Sequence, residues 1–207
     1  DNDGDLDIYL VQGSLLGQNT TLKDSTYPPK SEPRDQLYRN DFSLDAAGKT
    51  TMIKMLVGLI KPTSGCACVA GMDVQEEPIE VRRRLAYVPD FPFLYDKLTP
   101  VEFFRFTGQL FLMDDSEVKE STRELIPRFT LESYLRQPIE SLSHGTRQRI
   151  AIVSALMHAP DLFVLDEPMV GLDPHHQWVL KEVLKERTNE GMTVFVCGRT
   201  HKKVENL

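Results

Sequence analysis

Residues 161–174 read DLFVLDEPMVGLDP. Four consecutive apolar residues, Leu162 to Leu165, stop abruptly at Asp166 and Glu167. A run this short, closed by acids and a proline, predicts a buried strand that presents two adjacent carboxylates at its end. Two readings are open: a strand finishing in two solvated acids, or one carboxylate placed to hold the water shell of a Mg2+ ion beside a second able to accept a proton from water. Around this stretch the pattern alternates. RQRIAIVSALMH precedes it with helical spacing, and HHQWVLKEVLKERTNE follows as a helix stopped at Gly191. MTVFVC then predicts the next strand. Strand, helix and strand in succession indicate an α/β fold with a parallel sheet.

The same alternation extends upstream. Residues 49–60, KTTMIKMLVGLI, have helical apolar spacing and are halted by KPTSG, after which CACVAG and RLAYVP predict strands. VEFFRFTGQLFLM is an amphipathic helix whose Phe103, Phe104 and Phe106 are expected in the core, and a polar helical region runs on to about residue 136.

Two segments can bind anions. In DFSLDAAGKTT, residues 41–51, Gly48, Lys49 and Thr50 supply the second half of the phosphate-loop pattern G-x-x-x-x-G-K-[ST], with Ala47 and Thr51 flanking them. In such a loop backbone N–H groups and a helix N-terminus surround phosphate oxygens, lysine adds a point charge, and the threonine hydroxyl reaches Mg2+. The first half departs from the pattern. Ser43 and Ala46 stand where glycines are usual, and a side chain at Ala46 restricts positive φ. The second segment, SLSHGTRQR, places Ser143 and Gly145 at a helix start, 23 residues before Asp166.

These motifs, in this order and spacing, resemble the ATP-binding cassette of ABC transporters over residues 46–207. LSHGTRQR is similar to the signature motif, Asp166 and Glu167 to the Walker B aspartate and catalytic glutamate, and GLD (171–173) to the D-loop with its Asp173. FLYDKLTPVEFF resembles cassettes of the ABC-2 kind. The resemblance implies a P-loop NTPase three-layer α/β sandwich with a helical subdomain, here with its N-terminal β-subdomain largely missing or replaced. It also implies ATP with Mg2+, a head-to-tail pair with a second cassette, a transmembrane permease subunit, and a place at the cytoplasmic face of the membrane. In that scheme Glu167 polarises water for attack on the γ-phosphate, Thr50 and Asp166 hold the metal, and Ser143 and Gly145 face the opposite cassette's nucleotide. The chain departs from the family at several positions. Asp90 replaces the Q-loop glutamine and can still ligate a metal or its water. Arg199 stands where the family carries its switch histidine, and His201 lies two residues further on. Arginine there can bond a phosphate but cannot accept a proton. Tyr38 is an aromatic near the loop, on the side where the family stacks adenine, and nothing in the sequence places it on the base.

Composition bounds the alternatives. The net charge of -7 argues against general nucleic-acid binding. No apolar run approaches the ~18 residues of a membrane span. Cys66, Cys68 and Cys197 form no C-x-x-C pair and are expected as small apolar residues of strands. Residues 1–45 carry nine acids against four bases, or -5 of the total. This sets a boundary near residue 45, and the opening on Asp1 reads as a fragment or processed product. DNDGDLDIYLVQG sets Asp1, Asp3, Asp5 and Asp7 at alternate positions around a glycine, a pattern that suits Ca2+ or a merely solvated turn. With LYRND downstream, it resembles an FG-GAP (VCBS) propeller repeat joined to the second half-loop. Such a repeat needs neighbours to bury its face. Three functions therefore stand from the sequence: an ATP-hydrolysing transport subunit, a Ca2+-binding repeat module, and a cassette-like fragment that binds without turnover.

Overall fold

The computed structural model describes residues 7–11, 46–63 and 65–198. In chain order the elements are β1 (Asp7–Val11), α1 (Ala46–Leu56), β2 (Cys68–Val69), β3 (Met72–Asp73), α2 (Pro78–Arg84), β4 (Leu85–Val88), α3 (Pro100–Leu110), α4 (Asp115–Arg123), α5 (Leu125–Arg128), α6 (His144–Leu156), β5 (Leu162–Asp166), α7 (Pro174–Asn189) and β6 (Thr193–Gly198). The main sheet runs β1-β6-β5-β4, and β2 and β3 form a separate hairpin. β4, β5 and β6 are parallel, with Leu165 opposite Val88 and Val196 and with Asp166 opposite Cys197.

Alternation along these strands builds a three-layer sandwich. Ala86, Val88, Phe163, Leu165, Val194 and Val196 point to one face and pack with α3, α6 and α7. Leu85, Leu162, Val164, Phe195 and Cys197 point to the other, against Ile53, Leu56 and Val57 of α1, Val81 of α2 and the hairpin's Ala67 and Val69. Neighbouring side chains on a strand face opposite ways, so a strand covered on both faces reads as one continuous apolar run. Phe163 and Leu165, fully buried, each contribute about 2 kcal/mol of burial.

The helix starts are written locally. Thr99 caps α3 in a capping box with Glu102, followed by Pro100, and Asp114 caps α4 in a second box with Glu117. Gly191, at φ +106, ends α7 as expected, with its N–H on Thr188 O and the Met192 N–H on Arg187 O. Phe103 and Phe104 are buried, whereas Phe106 is half-buried and meets Tyr95 edge-on with ring centroids 5.0 Å apart. The expected strand over CACVAG is shorter than its apolar letters suggest. Ala70 (φ +50) and Gly71 (φ +79) turn the chain back, making β2 and β3 a hairpin. The helix from Val101 likewise ends early, at Leu110, because Leu112 takes φ +61.

β1, the short strand expected within DIYLVQG, pairs with β6. It joins the sheet of the second half, although the composition boundary falls near residue 45. It also runs antiparallel to β6, with Asp7 opposite Gly198 and Val11 opposite Val194. A strand feeding a phosphate loop directly would run with β4 to β6 and end beside Asp166, whereas β1 begins at that edge and ends at the other. α1 begins at Ala46, so Ala46 and Ala47 are already helical ahead of Gly48.

Mostly buried between the sheet edge and α3 is His158, in a cleft of about 190 Å3 that Val88, Phe103, Thr107 and Ser154 also line. Its ring stacks on Phe111 at 3.7 Å, and its nitrogens have no well-formed hydrogen-bond partner among the described residues. Burial is the main cause that lowers its pKa from 6.5 to about 4, and the backbone of Leu85 pulls weakly the other way. The unfolded chain therefore binds a proton more readily than the folded one, and this contribution to stability falls as pH drops from about 6.5 towards 4. His158→Phe, which keeps a ring on Phe111, is expected to recover about 2–3 kcal/mol of that acid loss, read from denaturant unfolding at neutral pH and near the lower pKa. An unchanged acid limb would refute the assignment.

Candidate active site at the carboxyl edge of the sheet

The three parallel strands end together, and open parallel sheets bind ligands outside their carboxyl ends. β5 presents Asp166 as its last residue, half-buried and level with Cys197. Glu167 follows at φ +49, in the left-handed region, with its N–H donating to Cys197 O at 2.7 Å. A non-glycine residue held there stores about 1–2 kcal/mol. That cost fixes the direction in which the chain, and with it the carboxylate, leaves the strand. After β4 comes Asp90, also half-buried. Sequence reasoning missed Tyr87 of β4. Burial first, then the charges of Asp166, Cys197 and Asp90, push its phenol up to about 12. Tyr87 thus stays a neutral hydroxyl.

Ala47, Gly48, Lys49 and Thr50 fall in the first turns of α1, followed by the exposed Thr51. Asp1, Asp3, Asp5, Tyr38, Ser43, Arg199 and His201 lie outside the described residues, and Asp7 opens β1.

The second anion segment meets the turn after β5 backbone to backbone. Ser143 is exposed and caps α6, its Oγ accepting from Thr146 N at 3.3 Å. A Cβ built on Gly145 would lie 2.5 Å from Gly171 O, and one on Gly171 (φ +80) would lie 2.4 Å from the His144 ring. Glycine at both positions is what lets the two turns touch.

The family model described as ABC transporter matches residues 45–170. The chain belongs to the ABC transporter family. The ABC transporter ATP-binding protein NatA of Bacillus subtilis (strain 168) is 32% identical over 164 residues, 79% of this chain and 67% of that protein. Linearmycin resistance ATP-binding protein LnrL of the same organism is 34% identical, over 79% of this chain and 52% of its own length. SkfA peptide export ATP-binding protein SkfE, also of that organism, is 37% identical over 73% and 63%. A solved structure described as that of the ATP binding subunit of an ABC transporter superposes with TM-score 0.69 at 33% identity, covering 74% of this chain and 63% of the other. The chain spans about half to two thirds of the length of these relatives.

A polar relay with a buried centre at Thr146, Arg149 and His176, not foreseen from the sequence, joins the turn at the start of α6 to the turn before α7, the stretch that resembles a D-loop. Asp173 caps α7 and accepts from His176 N at 3.0 Å and from His176 Nδ1 at 2.6 Å. The His176 backbone N–H first, then its side chain, lowers the Asp173 carboxyl to about 2. His176 Nε2 lies 2.9 Å from Arg149 Nη1 and 2.8 Å from Thr130 Oγ1. With Nδ1–H donated to Asp173, Nε2 is the acceptor. Arg149 Nη1 also donates to Phe129 O (2.7 Å), its Nη2 to Thr146 Oγ1 (2.9 Å) and its Nε to Gly145 O (3.3 Å). Thr146 Oγ1 is in turn 2.9 Å from Ser143 Oγ. Gln177 Nε2 pins the D-loop from its other side, donating to Met169 O and Leu172 O. The one sequence signal for this relay was the Asp-Pro cap ahead of a histidine, since both helices otherwise read as ordinary amphipathic segments.

Proposed function

We propose that residues 46–207 bind Mg-ATP and hydrolyse it as the ATP-binding subunit of a transporter of the ABC-2 kind. The observation that carries this is the placement of Asp166 and Glu167 at the carboxyl end of β5, between β4 with Asp90 and the end of β6. The donor set suits Mg2+: Asp166 at the end of β5 and Asp90 after the adjacent β4 carry hard carboxylate oxygens, and Thr50 belongs to the first turns of α1. Bound there, Mg2+ would neutralise phosphate charge. Lys49 adds a point charge on the phosphates, and the N–H groups of the α1 start, from Ala47 to Thr51, face them. Glu167 accepts the proton of the attacking water, and Arg199 or His201 contacts the γ-phosphate. Ser143 and Gly145, at the exposed start of α6, and Asp173 serve the nucleotide of a second cassette in a head-to-tail pair.

A permease subunit is the proposed membrane partner, which places the subunit at the cytoplasmic face of the membrane. No helix among the described residues is long and apolar enough to cross a membrane. Phe91 and Phe93 are 76% and 81% exposed after β4, and Leu110 and Leu112 stand out at the end of α3. Exposed large apolar side chains in two such pairs support a protein contact. For residues 1–45 the proposal is a segment similar to a propeller repeat, with Ca2+ at Asp1, Asp3, Asp5 and Asp7. It rests on the alternating carboxylates alone.

Calorimetry with Mg-ATP on this chain and on Lys49→Ala tests the main reading. Binding by the parent chain that weakens at least ~10-fold in the variant is expected for loss of a charge-assisted phosphate contact. No binding by either protein would overturn it, and would leave a cassette fold without nucleotide.

A further inference from the structure

We propose that Cys66, Cys68 and Asp73 form a binding site for a thiophilic divalent cation of the zinc class. The three lie on the β2–β3 hairpin, apart from the carboxyl edge of the sheet. Cys68 and Asp73 are paired across the hairpin, and Cys66 precedes Cys68 by two residues, on the same side of the strand. Exposure follows that alternation: Cys66 is exposed and Cys68 half-buried, while Ala67 and Val69 between and after them are buried against α1 and α2. The apolar side of the hairpin is thus spent on the core, and its outer side carries two thiols and a carboxylate.

Their ligand atoms all lie within 4.8 Å of one another. A tetrahedral zinc ion, with Zn–S about 2.3 Å and Zn–O about 2.0 Å, sets its donors roughly 3.5–3.8 Å apart. Closing that gap takes side-chain rotation of about 1 Å on an open surface. Asp73 is already oriented for it, since Oδ1 accepts from Gln75 N at 2.7 Å and from Glu76 N at 3.3 Å, leaving Oδ2 for the ion. On binding, both thiols lose their protons to solvent, both thiolates and the carboxylate become ligands, and a fourth position stays open to water. Two thiolates favour a soft or borderline d10 ion over Mg2+ or Ca2+, whose ligands are oxygens.

The test uses Co2+ as a spectroscopic stand-in, titrated into the full chain under a non-thiol reductant. Expected are one equivalent bound, a thiolate-to-cobalt charge-transfer band with the d–d bands of tetrahedral cobalt, and displacement by Zn2+. Cys66→Ser and Cys68→Ser should each lose most of that band and bind at least ~10-fold more weakly, with circular dichroism unchanged because neither thiol belongs to the buried core. Asp73→Asn, which keeps an acceptor for the turn, should weaken binding by a similar factor, while Cys197→Ala, on β6, should retain the band. No charge-transfer band in the parent chain, or a band that survives in the Cys66→Ser, Cys68→Ser double variant, would overturn the proposal. No nucleotide enters the experiment, so its result stands apart from the ATPase reading.

Discussion

Glu167→Gln is expected to lower ATP turnover by about 10^3-fold while leaving Mg-ATP affinity within a factor of about three. The substitution removes the one group at the end of β5 that both follows Asp166 directly and can take a proton from water. Glutamine keeps the length and unbranched Cβ of glutamate, so the left-handed backbone at residue 167 and the 2.7 Å bond from its N–H to Cys197 O are retained. Glu167→Gly separates chemistry from backbone. It relieves about 1 kcal/mol of φ strain yet should lose turnover as fully as the glutamine variant. Phosphate release at saturating Mg-ATP is the measurement. Turnover retained in both variants would move the base elsewhere on the chain.

Arg149→Ala is expected to destabilise the fold by about 3–4 kcal/mol, lowering Tm by roughly 10 °C in a domain of this size. Arg149 is 8% exposed and donates to Phe129 O, Thr146 Oγ1, Gly145 O and His176 Nε2 from one planar group. Its removal leaves the buried Phe129 O without its donor and takes one partner each from His176 Nε2, Thr146 Oγ1 and Gly145 O. Arg149→Lys should recover little, because a single ammonium cannot address acceptors set around a flat fork. Thermal unfolding decides between them. A lysine variant as stable as the parent would show that charge, and not the fork, holds the relay. The relay also predicts where the damage appears: Ser143 and Asp173 should both lose their fixed places, because the chain of bonds between them runs through this guanidinium.

The elements readable in advance were those whose local pattern and tertiary role agree. β5 is four apolar residues because both its faces are covered, and α7 carries its Asp173-Pro174 start and Gly191 stop in its own letters. What escaped was decided at long range or by few residues. α2, PIEVRRR, buries a single side chain, Val81, and its arginines give no apolar rhythm to read. β3 is two residues long and exists because Ala70 and Gly71 turn the chain back. His176 and Arg149 carry no mark of burial in their own letters, and only the approach of α6, α7 and the turn at Phe129 buries them together. At the carboxyl edge, Asp166, Glu167 and Asp90 were legible as letters. Tyr87 was not, since a tyrosine in an apolar strand carries no mark of which charges it will face.

β1 bears on how this molecule can be handled. Its hydrogen bonds cover the outer side of β6, whose sequence TVFVCG holds no charge and no proline. A chain cut at the compositional boundary would leave that strand bare, with a row of unpaired N–H and C=O groups ready to accept the first extended segment offered by another molecule. Among the described residues β1 is what caps the β6 edge, and a shortened cassette is expected to need a substitute edge to be kept in solution as single molecules.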